Sequence, residues 1–410
     1  MDCIYDLQSM PMIRRDLAAI LRKAASQYPV VTLTGPRQSG KTTLCRATFP
    51  RKPYVSLEPM DRREYARRDP RGFLAEYPTG AIFDEIQNVP DLTGFLQEEV
   101  DSRPGPGRFI LTGSQQLDLL HAVSQSLAGR TAVLHLLAPA LAELRRFKKP
   151  LKNLMSVLWT GAYPRIHDQG IPADRWLADY VSTYLQRDVR QVLNVVDLSA
   201  FTTFLRLAAG RTGQELNLSA LGADAGVSHN TARSWLSVLE ASFICFRIPA
   251  WHTNLRKQAI KAPKLHFYDS GLVCHLLGIR EPGELLHHPM RGAIFESWVA
   301  SEVMKTHVHR GETPRLYHFR DAKGLEVDLV LAGASKIQLI ESKSARTIND
   351  DFFAGLRRLA ESITHGERGA SVESILVYGG DEAQRRSDAR VIPWGRVDRE
   401  TWGLSSRSAR

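Results

Sequence analysis

Lys41 and Thr42 close the string Gly35-Pro36-Arg37-Gln38-Ser39-Gly40-Lys41-Thr42, which matches the phosphate-loop pattern G-x-x-x-x-G-K-[ST] at every position. The chemistry this points to is the holding of a nucleoside triphosphate. Backbone N–H groups of a glycine-rich turn, together with a helix N-terminus, form a cradle for phosphate oxygens. Lys41 would reach the β- and γ-phosphates, and the Thr42 hydroxyl would ligate Mg²⁺. Gly35 through Thr42, with Thr43 behind them, are the expected ATP-binding set. The apolar run Val30-Val31-Thr32-Leu33 precedes the string, so the loop is expected between a strand and a helix.

Further along stand other groups that could serve the same chemistry. Asp84-Glu85 ends the apolar run Ala81-Ile82-Phe83. Adjacent carboxylates at the carboxyl end of a strand beside a phosphate loop can divide two tasks. Asp84 is assigned to the metal shell and Glu85 to the attacking water. Read alone, the pair would be a surface turn. Thr112-Gly113-Ser114-Gln115 ends another apolar run, and Ser114 is the candidate contact to the γ-phosphate or the water, with turn chemistry as the plainer reading. Arg130, after Gly129, is a candidate for neutralising transition-state charge in its own subunit or a neighbour's; a structural arginine is the alternative.

Two constellations lie in the second half. Leu218 to Leu236 has a helix-turn-helix pattern, with Gly226 at the turn and Ser228 able to cap the second helix. In a DNA-binding version, Ser228, His229, Asn230 and Arg233 would face the major groove, and Phe243 to Ile248 would form a strand of a winged helix. The same unit also serves to pack proteins together. Glu326-Val327-Asp328 and Glu341-Ser342-Lys343 each fall on a predicted strand, where alternate residues share a face. Asp328 and Glu341 could hold a divalent metal, Lys343 could orient water or stabilise charge, and Glu296 from a preceding helix could complete the cluster.

The elements that must position these residues follow from periodicity. Ile13, Leu17, Ile20 and Leu21 mark an amphipathic helix. Strands are predicted at 54–57, 80–85, 108–112 and 131–136, separated mostly by helical stretches, which argues for a parallel sheet covered on both faces. The fold class is α/β. A phosphate-loop domain over 1–145 is followed by a helical connector over 146–210, a winged helix-turn-helix over 211–262, an α/β domain over 263–400 and a tail over 401–410. The arginine-rich stretch from Arg385 to Arg410 reads as a frayed tail or a phosphate-contacting arm.

These motifs, in this order, resemble the AAA-type P-loop ATPases of bacteria and archaea that carry a C-terminal DUF4143 domain. The resemblance rests on G-P-R-Q-x-G-K-T-T, Phe83-Asp84-Glu85-Ile86-Gln87, Leu111-Thr112-Gly113-Ser114-Gln115 and Leu127-Ala128-Gly129-Arg130. It continues through Gly161-Ala162-Tyr163-Pro164 and Tyr184-Leu185-Gln186-Arg187-Asp188-Val189, so it covers nearly the whole chain. It implies ATP binding and hydrolysis on a five-stranded core, and ring assembly is usual among AAA-type relatives, so a homo-oligomer is one expectation. The C-terminal acids resemble the restriction-endonuclease-like fold, whose pattern is an acidic residue followed by E-x-K. The proline-aspartate start of that pattern is absent, since Val327 precedes Asp328.

Composition bounds the partners. Charged residues make up 24% and the net charge is +10, which favours a polyanion such as DNA without requiring one. Cys3, Cys45, Cys245 and Cys274 have no C-x-x-C spacing, so neither a zinc site nor a disulfide framework is expected. With no secretory leader and no apolar run near membrane length, the expectation is a cytoplasmic protein with no membrane partner. The expected function is an Mg²⁺-dependent ATPase whose nucleotide state controls a nucleic-acid-binding module, with metal-dependent cleavage as an added activity. The rival is a nucleotide-dependent switch that binds a protein partner and keeps an inactive nuclease fold. A small-molecule kinase shares the loop but would need an acceptor module, and paired carboxylates favour water as acceptor.

Overall fold

Val30–Thr34 (β1) is buried at every position, as expected of a strand covered on both faces. The structure is a computed structural model and describes residues 13–113, 125–185, 197–251, 261–333, 336–366 and 371–403. β1 lies inside a parallel sheet with Tyr54–Ser56 (β2), Ile82–Asp84 (β3), Phe109–Gly113 (β4) and Thr131–His135 (β5), in the order β2-β3-β4-β1-β5. Alternation sorts the side chains. Val31 and Leu33 pack with Leu17 and Leu21 of Leu17–Gln27 (α1) and Leu44 of Lys41–Thr48 (α2) on one face. Val30, Phe83, Phe109 and Leu111 pack on the other face with Leu92 and Leu96 of Leu92–Ser102 (α3). The expected first helix begins at Leu17, so Ile13 lies outside it and packs beside Leu144, Phe147 and Ala162.

Helices Leu154–Thr160 (α4) and Ala173–Tyr180 (α5) follow. Asn153 caps α4 by accepting from the Met155 N–H at 2.8 Å. Gly161 ends α4 at φ 71°, and a Cβ there would stand 2.3 Å from Asp269 Oδ1, so only glycine fits. Next come Leu198–Ala209 (α6), Gln214–Glu215 (β6), Leu218–Asp224 (α7), His229–Ala241 (α8), Cys245–Ile248 (β7) and Lys264–Phe267 (β8). The three strands form an antiparallel sheet ordered β6-β8-β7. The division expected at 262/263 therefore falls inside a sheet, because β8 pairs back onto β6 and β7 rather than opening the last domain.

The last block runs Arg291–Val308 (α9), Leu316–Arg320 (β9), Glu326–Ala332 (β10), Lys336–Lys343 (β11), Ala354–Gly366 (α10), Ser371–Tyr378 (β12), Gln384–Arg385 (β13) and Arg390–Pro393 (β14). Its mixed sheet is ordered β13-β14-β12-β11-β10-β9. One apolar core, including Phe201, Trp235, Phe295, Trp298 and Ile340, runs through α6, α8, α9 and β11, so the three blocks after the parallel sheet are packed as one body. Arg390–Pro393 is a strand, and Trp394, Val397 and Trp402 are buried, so the stretch expected as a frayed tail or a phosphate-contacting arm is folded through residue 403. No helix among the described residues is long and apolar enough to cross a membrane.

Candidate active site

The loop between β1 and α2 owes its shape to backbone positions that few residues tolerate. Gly35 has φ 148°, and a Cβ there would lie 2.2 Å from the Leu136 carbonyl oxygen. Gly40 caps α2 at φ 93°, and Gln38 takes φ 63° between them. Lys41 is buried and donates to the Gly35 and Pro36 carbonyls at 3.0 and 2.8 Å. Burial pushes its ammonium down to about 8, against the pull of Glu85 and Asp84. The lysine thus rests on its own loop, within reach of any phosphate placed there.

Asp84 is ringed by hydroxyls. Thr42 Oγ1 donates to its two carboxylate oxygens at 3.1 and 2.9 Å, and Tyr54 donates at 2.8 Å. Thr112, at the end of β4, donates to Asp84 as well. The sequence marked the Thr112–Gln115 strand end but selected Ser114, which lies outside the described residues. Glu85 holds a left-handed backbone, φ 59°, a conformation that costs a non-glycine residue about 1–3 kcal/mol and is concentrated at functional sites. Gln87 Nε2 donates to its carboxylate. Glu85, Lys41 and Thr42 all line one cavity of about 1240 Å³, larger than the ~300–1,000 Å³ usual for small-molecule sites. Ile13, Ala18, Phe147 and Pro164 supply apolar lining, while Arg37 and Arg165 add positive charge.

Arg15 is a site residue that no motif announced. Its guanidinium donates to the Ser39 carbonyl at 2.7 Å, to the Leu137 carbonyl at 2.7 Å and to Glu143 at 2.9 Å, bracing the phosphate loop from behind. Burial alone would raise the Glu143 carboxyl, but His309, Arg15 and nearby N–H donors bring it down to about 2. His309, 3.4 Å away, is itself pushed down to about 4 by burial. It is therefore uncharged at neutral pH, and Arg15 is the cation that matters there.

Arg130 is not beside this loop. It precedes β5 at the Val30 end of β1, whereas the loop follows Thr34 at the other end, ~13 Å away along the strand. It makes a two-pronged pair with Asp101 at 2.6 and 2.7 Å. That places it away from the nucleotide in its own subunit, and the pair with Asp101 is what the structural-arginine alternative calls for.

In the helix-turn-helix, Ser228 caps α8 by accepting from the Thr231 N–H at 3.1 Å, and Gly226 takes φ 71° at the turn. His229, Asn230 and Arg233 are exposed, while Ala232, Trp235 and Leu236 are buried, so the expected contact set shares an open face. The C-terminal acids are arranged otherwise. Leu329 pairs with Ile340, which brings Asp328 and Glu341 to adjacent register, and Asp328 accepts from the Ser342 N–H at 2.8 Å. Glu296 does not join them around an open position. Its carboxylate takes the Lys264 ammonium at 2.8 Å, and that ammonium also pairs with Glu326 at 2.7 Å and lies 3.9 Å from Asp328. Lys343 pairs with Glu341 at 2.6 Å. Among the described residues no group of three or more His, Cys, Asp or Glu could hold a metal ion. The expected trio of Glu296, Asp328 and Glu341 is thus divided by lysines. Burial, with Asp328 nearby, pushes the Glu341 carboxyl up to about 8, and Glu296 is raised well above the carboxylate range for the same reasons.

Three family models match parts of the chain. Residues 27–144 match the AAA domain family, 151–283 the Domain of unknown function (DUF8612) and 291–397 the Domain of unknown function (DUF4143). "Uncharacterized protein Rv2008c" of Mycobacterium tuberculosis is 30% identical over 396 residues, spanning 94% of this chain and 84% of that protein. "Uncharacterized protein Mb2031c" of Mycobacterium bovis matches to the same extent. The chain belongs to the family of these two proteins. Among solved structures, the "walker-type atpase paby2304" of Pyrococcus abyssi is 13% identical with a TM-score of 0.44, covering 64% of this chain and 94% of that one. AMPPCP-bound DnaA from Aquifex aeolicus is 13% identical with a TM-score of 0.29, covering 55% and 85%. Likenesses at these scores carry no functional weight. In family terms, the phosphate loop, Asp84, Glu85 and Thr112 lie in the AAA domain, Lys264 in the DUF8612 region, and Glu296, Asp328, Glu341 and Lys343 in the DUF4143 domain.

Proposed function

We propose that the chain binds ATP with Mg²⁺, hydrolyses it, and uses the nucleotide state to control nucleic-acid binding by its second half. The observation that carries the first part is the meeting of Thr42 and Asp84 at 2.9 Å beside Lys41 and Glu85. A hydroxyl and a carboxylate side by side are hard oxygen ligands and fit a Mg²⁺ ion that accompanies the substrate. Such an ion, held by Thr42 and Asp84, would supply charge neutralisation to the phosphates. Lys41 leaves the Gly35 and Pro36 carbonyls for the phosphate oxygens. Glu85 accepts a hydrogen bond from water and orients it in line with the γ-phosphorus; the water oxygen bonds to that phosphorus as the bond to the bridging oxygen breaks, the water's proton passes to the phosphate, and ADP and phosphate leave. Thr112 and Tyr54 keep the Asp84 carboxylate oriented.

The order helix–strand–helix–helix–strand–strand from α6 to β8, with an exposed His229, Asn230 and Arg233 face, supports a winged helix that contacts DNA. The run α9, β9 to β11, α10, β12 supports a restriction-endonuclease-like reading of the last block, with Asp328, Glu341 and Lys343 as the candidate cleavage set. A second reading, a switch that binds protein and carries a nuclease fold that no longer cuts, is favoured by one observation: Lys264 sits among the acids.

The test is ATP hydrolysis measured with and without single- and double-stranded DNA and RNA, using Lys41→Ala as the blank. Stimulation by one polymer couples the two halves and names the substrate class. Hydrolysis indifferent to all of them overturns the nucleic-acid part and favours the protein-binding switch.

A further inference from the structure

Lys264 is 1% exposed and belongs to β8, a strand of the three-stranded sheet, not to the block that holds the acids. Its ammonium lies among Glu296, Glu326 and Asp328, within 4 Å of each. Buried acids are compensated by holding protons or by a cation, and here a lysine inserted from a neighbouring sheet supplies the cation. The contact is part of a wider seam. His266, two residues on and so on the same face of β8, lies 2.9 Å from Ser297 Oγ. Thr212 Oγ1 meets the same Ser297 hydroxyl at 2.6 Å and accepts from the Phe267 N–H. Consecutive residues of α9, Glu296 and Ser297, are thus both engaged by alternate residues of one strand.

The acids therefore do not fit a resident divalent ion in this arrangement. Glu296 holds the Lys264 ammonium and Glu341 holds that of Lys343, so ammonium groups already stand against the acids that a shared ion would need. We propose that Lys264 is the resident cation of the C-terminal acid cluster, standing in the place of a divalent metal and locking the three-stranded sheet onto α9. The inference rests on the reading of Asp328, Glu341 and Lys343 as a nuclease-type set. It implies that the full chain does not cleave nucleic acid while Lys264 is seated.

Mn²⁺ titrated into the nucleotide-free full chain, with free ion followed by electron paramagnetic resonance, tests this. Wild type and Asp328→Asn are expected to take up the same amount of Mn²⁺. Lys264→Met should gain one further ion per chain, bound at least about ten-fold tighter than any at this cluster in wild type, and Asp328→Asn in that background should remove it. An ion held by wild type and released by Asp328→Asn overturns the inference while leaving the nuclease reading standing. A Lys264→Met chain that melts cooperatively yet gains no ion overturns both. The comparison of wild type with Asp328→Asn needs no Lys264 variant, so it decides even if Lys264→Met fails to fold.

Discussion

The chain builds two acid sites from the same residue types and compensates their charge in opposite ways. At the phosphate loop, Asp84 is held by the hydroxyls of Thr42, Tyr54 and Thr112, while Lys41 rests on backbone carbonyls. No cation is paired with the Asp84 carboxylate among the described groups, and a cavity opens beside it. In the last block the lysines are already on the acids, Lys264 on Glu296 and Glu326, Lys343 on Glu341. One site is prepared to receive a charged ligand from solvent, and the other has been filled from within the chain. An aspartate at a strand end with a lysine close by is therefore not enough to identify a working centre. What matters is where the lysine's protons point.

The largest effect expected from this contrast is on turnover. Removing the Lys41 ammonium withdraws a preorganised donor from the developing phosphate charge, and steady-state assays should show ATP hydrolysis falling by about 10²–10³-fold or more. Glu85→Gln should lower kcat by about 10²–10⁴-fold while nucleotide binding persists. Lys343→Ala, at the filled site, should leave hydrolysis near wild type. Equal losses from Lys41→Ala and Lys343→Ala would erase the distinction between the two sites.

The next effect is on stability, at the seam between the two regions. Glu143 is fully buried between Arg15, which braces the phosphate loop, and His309, just past the end of α9. Glu143→Ala leaves the Arg15 guanidinium buried and unpaired, which should cost about 3–5 kcal/mol in chemical denaturation. Acid acts on the same group. Glu143 is depressed from 4.5 to about 2, so its contribution is complete above 4.5 and lost as pH falls toward 2. His309 is depressed from 6.5 to about 4, so the unfolded chain takes its proton first, and stability falls from pH 6.5 downward. A melting temperature that is flat between pH 7 and pH 4 would remove this seam from the account.

How much of this was legible in the sequence depends on how far apart the partners lie along the chain. The phosphate loop, Asp84 and Glu85 could be read because each is a local string whose spacing is fixed by one turn or one strand end. The same holds for the Ser228 cap and for Asp328 and Glu341, which periodicity places on facing strands. Arg15 could not be read, since its partner Glu143 is 128 residues away. Nor could Lys264, whose carboxylates come from α9 and β10, or Tyr54, which reads as one more strand aromatic. Which of the Arg130 alternatives applies could not be read for a related reason. Its string says that it precedes a strand, but only the register shows which end of the sheet that is.

A smaller effect concerns the exposed face of α8. Arg233→Ala should weaken DNA binding by about 1–3 kcal/mol if the side chain reads a base, or lower the salt slope by about one if it meets a phosphate. Fluorescence anisotropy at several salt concentrations separates the two. Unchanged affinity and slope would remove α8 as a contact and shift the reading toward a protein partner.

The smallest effect sharpens the comparison of the lysines themselves. With its ammonium held near 8 by burial, Lys41 is about half deprotonated at pH 8 when no nucleotide is bound. Phosphate oxygens at hydrogen-bond distance favour the charged form, so ATP binding at that pH should draw in up to about half a proton. Calorimetry in buffers of different ionisation enthalpy reads this as a slope, which Lys41→Met should abolish. Lys264 must behave differently. Burial alone would lower it, but Glu296, Asp328 and Glu326 more than reverse that, so it stays charged and has no proton to gain. Proton uptake that survives in Lys41→Met would mean that the titrating group lies elsewhere and that Lys41 is held as firmly in its charged form at rest as its C-terminal counterpart.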